Sequence, residues 1–251
     1  MTRSMISAKE RSLLKTIETI EELFPLDYTK EVNALFRTLE KQISTTSCLN
    51  NDTVYRLRTI WAQRGFSMER YFANACSYQE FDFYSKYKKL LKFDSLIIRK
   101  QINIKHYSKI IFIGSGPLPL SLKLLRIPIQ KVGYDLSSEA VSLAKKSLPK
   151  DRFGMKITYQ EGDFFSININ EREPVIIYIA GLIQNKIKGI KRLAKQLPKN
   201  SFLIVRTVAR DNRSFLYEPI DKKALSRLGK VKEFIPTKAS GIVNGMITIK
   251  I

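Results

Sequence analysis

The sequence predicts an α/β fold. An all-helical N-terminal domain over residues 1–104 precedes a Rossmann-like domain over 105–251 with a mostly parallel, seven-stranded sheet. Three observations carry this. Up to about residue 100, apolar residues recur at three- and four-residue intervals, the spacing of helices buried on one face. From Lys109 the period changes: apolar runs at 109–113, 130–134, 155–160, 174–179 and 201–205 alternate with helix-length segments, the pattern of a parallel sheet covered on both faces. The first of these runs leads straight into Gly114-Ser115-Gly116.

In chain order, Ser7 can cap a helix reaching about Phe24, with Leu13, Leu14, Ile17, Ile20 and Phe24 on one face and Pro25 as its stop. A second helix, about Tyr28 to Ile43, points Val32, Leu35, Phe36, Leu39 and Ile43 inward. Ser44 to Asp52 reads as a loop ending in cap residues. A third helix begins near Thr53, and Gly65 is expected to bend or break it; Met68-Glu69-Arg70-Tyr71-Phe72 continues in register. A last helical region spans about Tyr78 to Lys100. It opens with Phe81-Asp82-Phe83-Tyr84-Ser85-Lys86-Tyr87, in which Phe83, Tyr84 and Tyr87 share a face. Aromatics so spaced form a core stripe or, because a buried tyrosine hydroxyl needs a partner, polar contacts beside a cleft.

The strand at 109–113, the glycine turn and a helix from Leu118 to Arg126 form the opening of a nucleotide-binding unit. Its second strand ends in Gly133-Tyr134-Asp135-Leu136, so Asp135 stands 19 residues after Gly116, where a carboxylate can hold a ribose diol. The third glycine of a dinucleotide fingerprint is absent, and Pro117 and Pro119 occupy that region. With no pyrophosphate to cradle, the pattern favours an adenosyl ligand such as S-adenosylmethionine, held by Gly114, Ser115, Gly116 and Asp135; the alternative is a tight turn without a ligand. Glu161-Gly162-Asp163 follows the third strand, where this fold contacts adenine, which makes Asp163 a candidate. Arg206 ends the fifth strand at the sheet edge where ligands bind, able to grip a substrate carboxylate or to form an ion pair within the domain. Two further strands, Val231 to Ile235 and Met246 to Ile251, are expected to pair antiparallel. Five parallel strands with such a pair is the layout of S-adenosylmethionine-dependent transferases.

The 251 residues are 44% hydrophobic and carry a net charge of +21, from 44 Lys and Arg against 23 Asp and Glu. That surplus fits a nucleic-acid, anionic-membrane or anionic small-molecule partner, or lysines spread over solvated faces. The densest run, Lys186 to Lys199, places Lys188, Lys191 and Lys195 on one helix face. Cys48 and Cys76 make neither a disulfide framework nor a zinc site, and His106 alone builds no metal cluster and no Ser-His-Asp triad. No protein-bound metal is expected. Met1 to Met5 lacks the apolar core of a signal peptide and no apolar stretch reaches 18 residues, so the expectation is a soluble, cytoplasmic protein.

Four segments resemble the nicotianamine synthase family: Phe83-Tyr84-Ser85-Lys86-Tyr87; Phe112 to Leu120 with its Gly116-Pro117-Leu118-Pro119-Leu120 extension; Val205-Arg206-Thr207 with Phe215-Leu216-Tyr217-Glu218-Pro219; and Pro236 to Asn244. The resemblance implies transfer of the 3-amino-3-carboxypropyl (aminobutanoyl) group of S-adenosylmethionine to an amine, with release of methylthioadenosine and formation of a nicotianamine-like metal chelator. The implied partners are small molecules, S-adenosylmethionine and an amino-acid acceptor. It also implies a catalytic pair, Glu69 on the third helix and Tyr87 at the end of the aromatic segment, with Tyr84 as a substrate contact. From spacing alone Glu69 reads rather as an exposed helix residue paired with Arg70 or a neighbour; the resemblance brings the catalytic reading level with it. Two other readings stand beside this one: an S-adenosylmethionine-dependent methyltransferase, possibly on nucleic acid, and a non-catalytic binding module. Ile176 to Leu182 lacks the Asn/Asp-Pro-Pro-Tyr/Phe motif of base amino-methylation, and intact Gly114, Gly116 and Asp135 argue against a decayed site.

Overall fold

The computed structural model describes residues 7–209, 211–237, 240, 242 and 244–251. Met1 to Met5 lies outside them, as do residues 238, 239, 241 and 243 of the Pro236 to Asn244 segment. The chain forms two compact units, Met1–Met68 with Arg210–Tyr217, and Glu69–Ala209 with Glu218–Ile251. The expected boundary at 104 therefore falls inside the second unit.

In the first unit, α1 (Ala8–Glu21) starts at Ser7, whose hydroxyl accepts from the Glu10 N–H at 3.2 Å. It buries Leu13, Ile17 and Ile20 and ends before Phe24, which is exposed. Thr29 caps α2 (Lys30–Ser44), and Val32, Phe36, Leu39 and Ile43 face inward. Asn50 accepts from the Thr53 N–H at 2.8 Å to start α3 (Asn51–Asn74). That helix runs unbroken through Gly65, contrary to expectation. A helical glycine costs about 1 kcal/mol against alanine. The helix also buries Leu57, Ile60 and Met68, each able to contribute roughly 1.5–3 kcal/mol. Residues 212–215 form a 3-10 turn in the same unit, where Asn212 donates to the Ile43 and Ser44 carbonyls at 3.2 and 3.0 Å.

The second unit takes the end of α3, then α4 (Tyr84–Gln101), which begins later than expected because residues 78–83 turn. Tyr84 N–H closes that turn on the Phe81 carbonyl at 2.7 Å. Then follow β1 (Lys109–Ile113), α5 (Leu120–Leu124), β2 (Gln130–Asp135), α6 (Ser138–Ser147), β3 (Ile157–Glu161), β4 (Ile176–Ile179), α7 (Lys186–Ala194), β5 (Phe202–Thr207), β6 (Lys230–Phe234) and β7 (Gly245–Lys250). The sheet order is β3-β2-β1-β4-β5-β7-β6, parallel through β5, with β7 antiparallel to both β5 and β6. α5 is shorter than the expected Leu118–Arg126, since Pro119 precedes it and Pro128 disfavours helix at its end.

The strands alternate between two cores, as a period of two requires. Ile110, Phe112, Ile176, Tyr178 and Ile204 pack with Leu91 and Ile98 of α4. Ile111, Ile113, Ile177, Ile179, Leu203 and Val205 pack with Ile190 and Leu193 of α7. This shared core is why α4 belongs with the sheet. Among the described residues no helix is long and apolar enough to cross a membrane.

Candidate active site

The glycine turn after β1 is a left-handed corner. Gly114 (φ +76°) and Gly116 (φ +69°) adopt backbone that side chains disfavour. The N–H groups of Gly114 and Ser115 donate to the Tyr134 carbonyl at 2.8 and 2.9 Å, tying the turn to the end of β2. Asp135, next along β2, completes the tie: Oδ2 accepts from the Gly116 N–H at 2.8 Å and Oδ1 from the Ser137 N–H at 3.0 Å. Asp135 is half-buried, so lone pairs of its oxygens remain for a ligand. Ser115 is buried and its hydroxyl has no hydrogen-bond partner.

Glu69, half-buried on α3, comes down on this turn. Its Oε2 lies 2.3 Å from the position that a β-carbon on Gly116 would occupy. The Leu118 N–H and the Tyr87 hydroxyl both donate to the Glu69 carboxylate. Burial, and then the neighbouring Asp135 charge, push Glu69 up to about 8, and those two donors offset only part of the rise. Glu69 is thus not an exposed residue paired to Arg70; Arg70 instead stands 4.0 Å from Glu139.

Of the nine residues singled out in the sequence, the fold brings Glu69, Tyr87, Gly114, Ser115, Gly116 and Asp135 together. The other three are placed differently. Tyr84 turns to Tyr78, with ring centroids 5.9 Å apart, and carries the Lys88 ammonium 5.7 Å over its ring. Tyr87 instead packs against Phe81 at 6.1 Å, so these two tyrosines do not act as one face. Asp163 closes the turn after β3, accepting from the Phe165 N–H at 3.0 Å and the Ser166 hydroxyl at 3.3 Å. Arg206 is 4% exposed and commits both terminal nitrogens to Asp94, donating to Oδ1 at 3.0 Å and to Oδ2. It is an internal ion pair, not a guanidinium presented to a substrate carboxylate, because the bidentate partner already fills its fork.

Sequence reasoning missed Asp94 and Tyr178. Tyr178 donates its hydroxyl to Asp94 Oδ2 at 2.6 Å. The available signal was an acidic residue inside the apolar stripe of α4, between Leu91 and Ile98. A cavity of about 470 Å³ lies elsewhere in this unit, lined by Phe165, Asn185, Ile187, Lys188 and Glu218. It is lined by neither Glu69 nor Tyr87. Among the described residues no cluster of three or more His, Cys, Asp or Glu could hold a metal ion.

Comparison with known proteins bears on this arrangement. Nicotianamine synthase 3 of Arabidopsis thaliana is 24% identical over 276 residues, covering 98% of this chain and 85% of its own. The solved structure of MtNAS in complex with MTA and tNA superposes with a TM-score of 0.70 at 16% identity, covering 98% of this chain and 99% of that one. A glutamate-to-glutamine mutant of MtNAS in complex with S-adenosylmethionine gives 0.68 at 16% identity, over 96% and 97%. Those structures share the fold, a seven-stranded, mostly parallel sheet of the S-adenosylmethionine-dependent transferase type. The family model described as nicotianamine synthase protein matches residues 6–250. A match over nearly the whole length, spanning the α3 carboxylate, the aromatic segment and the glycine turn alike, makes this chain a member of the nicotianamine synthase family.

Proposed function

We propose that this chain transfers the aminobutanoyl group of S-adenosylmethionine to an amine, releasing methylthioadenosine, with Glu69 as general base and Tyr87 as its hydrogen-bonding partner. The observation that carries the reading is the Glu69 carboxylate, seated on the glycine turn, hydrogen-bonded by Tyr87 and pushed up to about 8. Family membership and the ligands named for MtNAS support it.

The chemistry asks for such a carboxylate. An amino-acid acceptor arrives as an ammonium and has no lone pair until it loses a proton. A carboxylate of ordinary acidity is a weak base toward it, whereas one near 8 lies closer to the ammonium's own range. Glu69 takes that proton. The freed nitrogen lone pair attacks the methylene next to the sulfonium, forming a C–N bond. The C–S bond breaks with its electron pair going to sulfur, and neutral methylthioadenosine leaves. A cation bound near Glu69 favours its ionised form, so substrate binding prepares the base. Asp135 supplies the acceptor for the ribose diol, and Gly114 to Gly116 bring backbone to the methionine end. The reading takes small molecules as substrates, not nucleic acid, since Ala180-Gly181-Leu182 after β4 carries no base-amino-methylation motif.

The test is incubation with S-adenosylmethionine and glutamate or histidine, followed by mass spectrometry. Methylthioadenosine with a conjugate heavier by one aminobutanoyl group is expected. Adenosylhomocysteine with a methylated product would sink the proposal.

A further inference from the structure

Asp94 of α4, Tyr178 of β4 and Arg206 of β5 form a closed set at the centre of the second unit. Each is at most 4% exposed. Arg206 grips both Asp94 oxygens, Tyr178 donates to one of them at 2.6 Å, and the Arg206 guanidinium carbon lies 5.1 Å from the centre of the Tyr178 ring. Tyr178 is in turn stacked on Phe112 of β1, with centroids 4.7 Å apart. The set thus connects α4 to three adjacent strands. Burial alone would lower Arg206, but Asp94, Tyr178 and Tyr87 hold it above its ordinary value, so it stays charged. Burial raises the Tyr178 hydroxyl well above its ordinary value, and Tyr87 adds a little to that rise.

Adhesion of α4 does not require these groups. Leu91, Ile97 and Ile98 already bury the helix against the sheet. A buried ion pair adds little net stability over an apolar isostere. What it adds is direction: an apolar face tolerates small slides, whereas a bidentate fork with a third hydrogen bond fixes both rotation and height. Asp94 follows Tyr87 by seven residues, two helical turns, so the two share a face about 10 Å apart along the axis. Fixing Asp94 therefore fixes where Tyr87 stands.

We propose that Asp94, Tyr178 and Arg206 are positioning residues of the transfer reaction, which seat α4 so that the Tyr87 hydroxyl meets the Glu69 carboxylate. The inference rests on the function proposed above. Misplacement of a reacting group by about 1 Å can cost on the order of a hundredfold in rate, so a device held this far from the turn can control turnover.

Tyr178→Phe is the cleanest probe, since it deletes one oxygen and keeps the stacked ring. With S-adenosylmethionine and glutamate or histidine, it should lower kcat about tenfold and leave the S-adenosylmethionine KM unchanged. In a Tyr87→Phe background it should have no further effect, because both act through one hydroxyl. Wild-type kcat in Tyr178→Phe, or effects that multiply in the double variant, would overturn the inference. A second arm needs no turnover. 3-Fluorotyrosine placed at position 87 should change its fluorine resonance in Tyr178→Phe, in Arg206→Lys and in Glu69→Gln; an unchanged resonance in Tyr178→Phe overturns the positioning role. If wild type releases no methylthioadenosine, the transferase reading fails, and the fluorine arm still decides this one.

Discussion

Glu69 and Gly116 interlock: the Glu69 Oε2 lies 2.3 Å from where a β-carbon on residue 116 would stand. Glycine is therefore favoured at 116 on two counts, for that approach and for its φ of +69°. Gly116→Ala should displace the carboxylate and strain the turn by about 1–2 kcal/mol. The expected outcome is a folded protein with turnover reduced on the order of a hundredfold. Circular dichroism and a methylthioadenosine assay check both halves, and near-wild-type turnover would mean that Glu69 does not need its place on the turn.

The raised Glu69 makes a prediction about stability. Its carboxyl titrates at about 8 in the folded chain against an ordinary 4.5. Between those values the unfolded chain binds fewer protons, so this residue's contribution weakens as pH rises through that window. Glu69→Gln removes the penalty. Its melting temperature should gain on wild type from pH 5 to pH 8, by a few degrees for a chain of this size. Turnover should fall roughly a hundredfold or more while S-adenosylmethionine binding survives. A melting difference that stays flat across this range would show that Glu69 is ionised in the empty enzyme.

Asp135 has two expected effects. Asp135→Ala removes the ribose acceptor and should weaken S-adenosylmethionine binding roughly ten- to a hundredfold by calorimetry. It also removes a like charge that helps hold Glu69 up. Activity governed by ionised Glu69 rises with pH, and in Asp135→Asn that rise should move to lower pH. Unchanged affinity in Asp135→Ala would take this residue out of the cofactor site.

The net charge of +21 should not translate into sequence-specific DNA recognition. Lys188 and Lys191 of α7 and Lys195 at its C-cap are exposed, as a solvated basic face would be. Binding measured by fluorescence anisotropy should be weak, indifferent to sequence and lost in moderate salt. Tight binding of one sequence at physiological salt would revive the nucleic-acid methyltransferase reading.

Tolerance of Gly189 is a packing matter. A β-carbon there would meet the Phe164 ring at 2.2 Å, so Gly189→Ala overpacks the contact between α7 and the turn after β3. A loss of about 1–3 kcal/mol in denaturant unfolding is expected, and no loss would mean that Phe164 repacks freely.

Local pattern alone was enough for the strands, the cap at Ser7 and the turn at Gly114-Ser115-Gly116, because period, capping chemistry and glycine's left-handed freedom act within a few residues. The same locality misled at Gly65, where burial along α3 outweighs a residue's own propensity, and at residue 104, where α4 shares its core with β1 and β4. Glu69 and Tyr87 were legible only as residue types at motif-like positions. That Glu69 reaches Gly116, that Asp135 lies near enough to raise it, and that Asp94 rather than a ligand holds Arg206 are distances between elements far apart in the chain. Spacing along a sequence carries no such distances. They exist only once the sheet order puts β1 between β2 and β4 and packs α4 across them, which sets the dielectric and the charges around each carboxyl group.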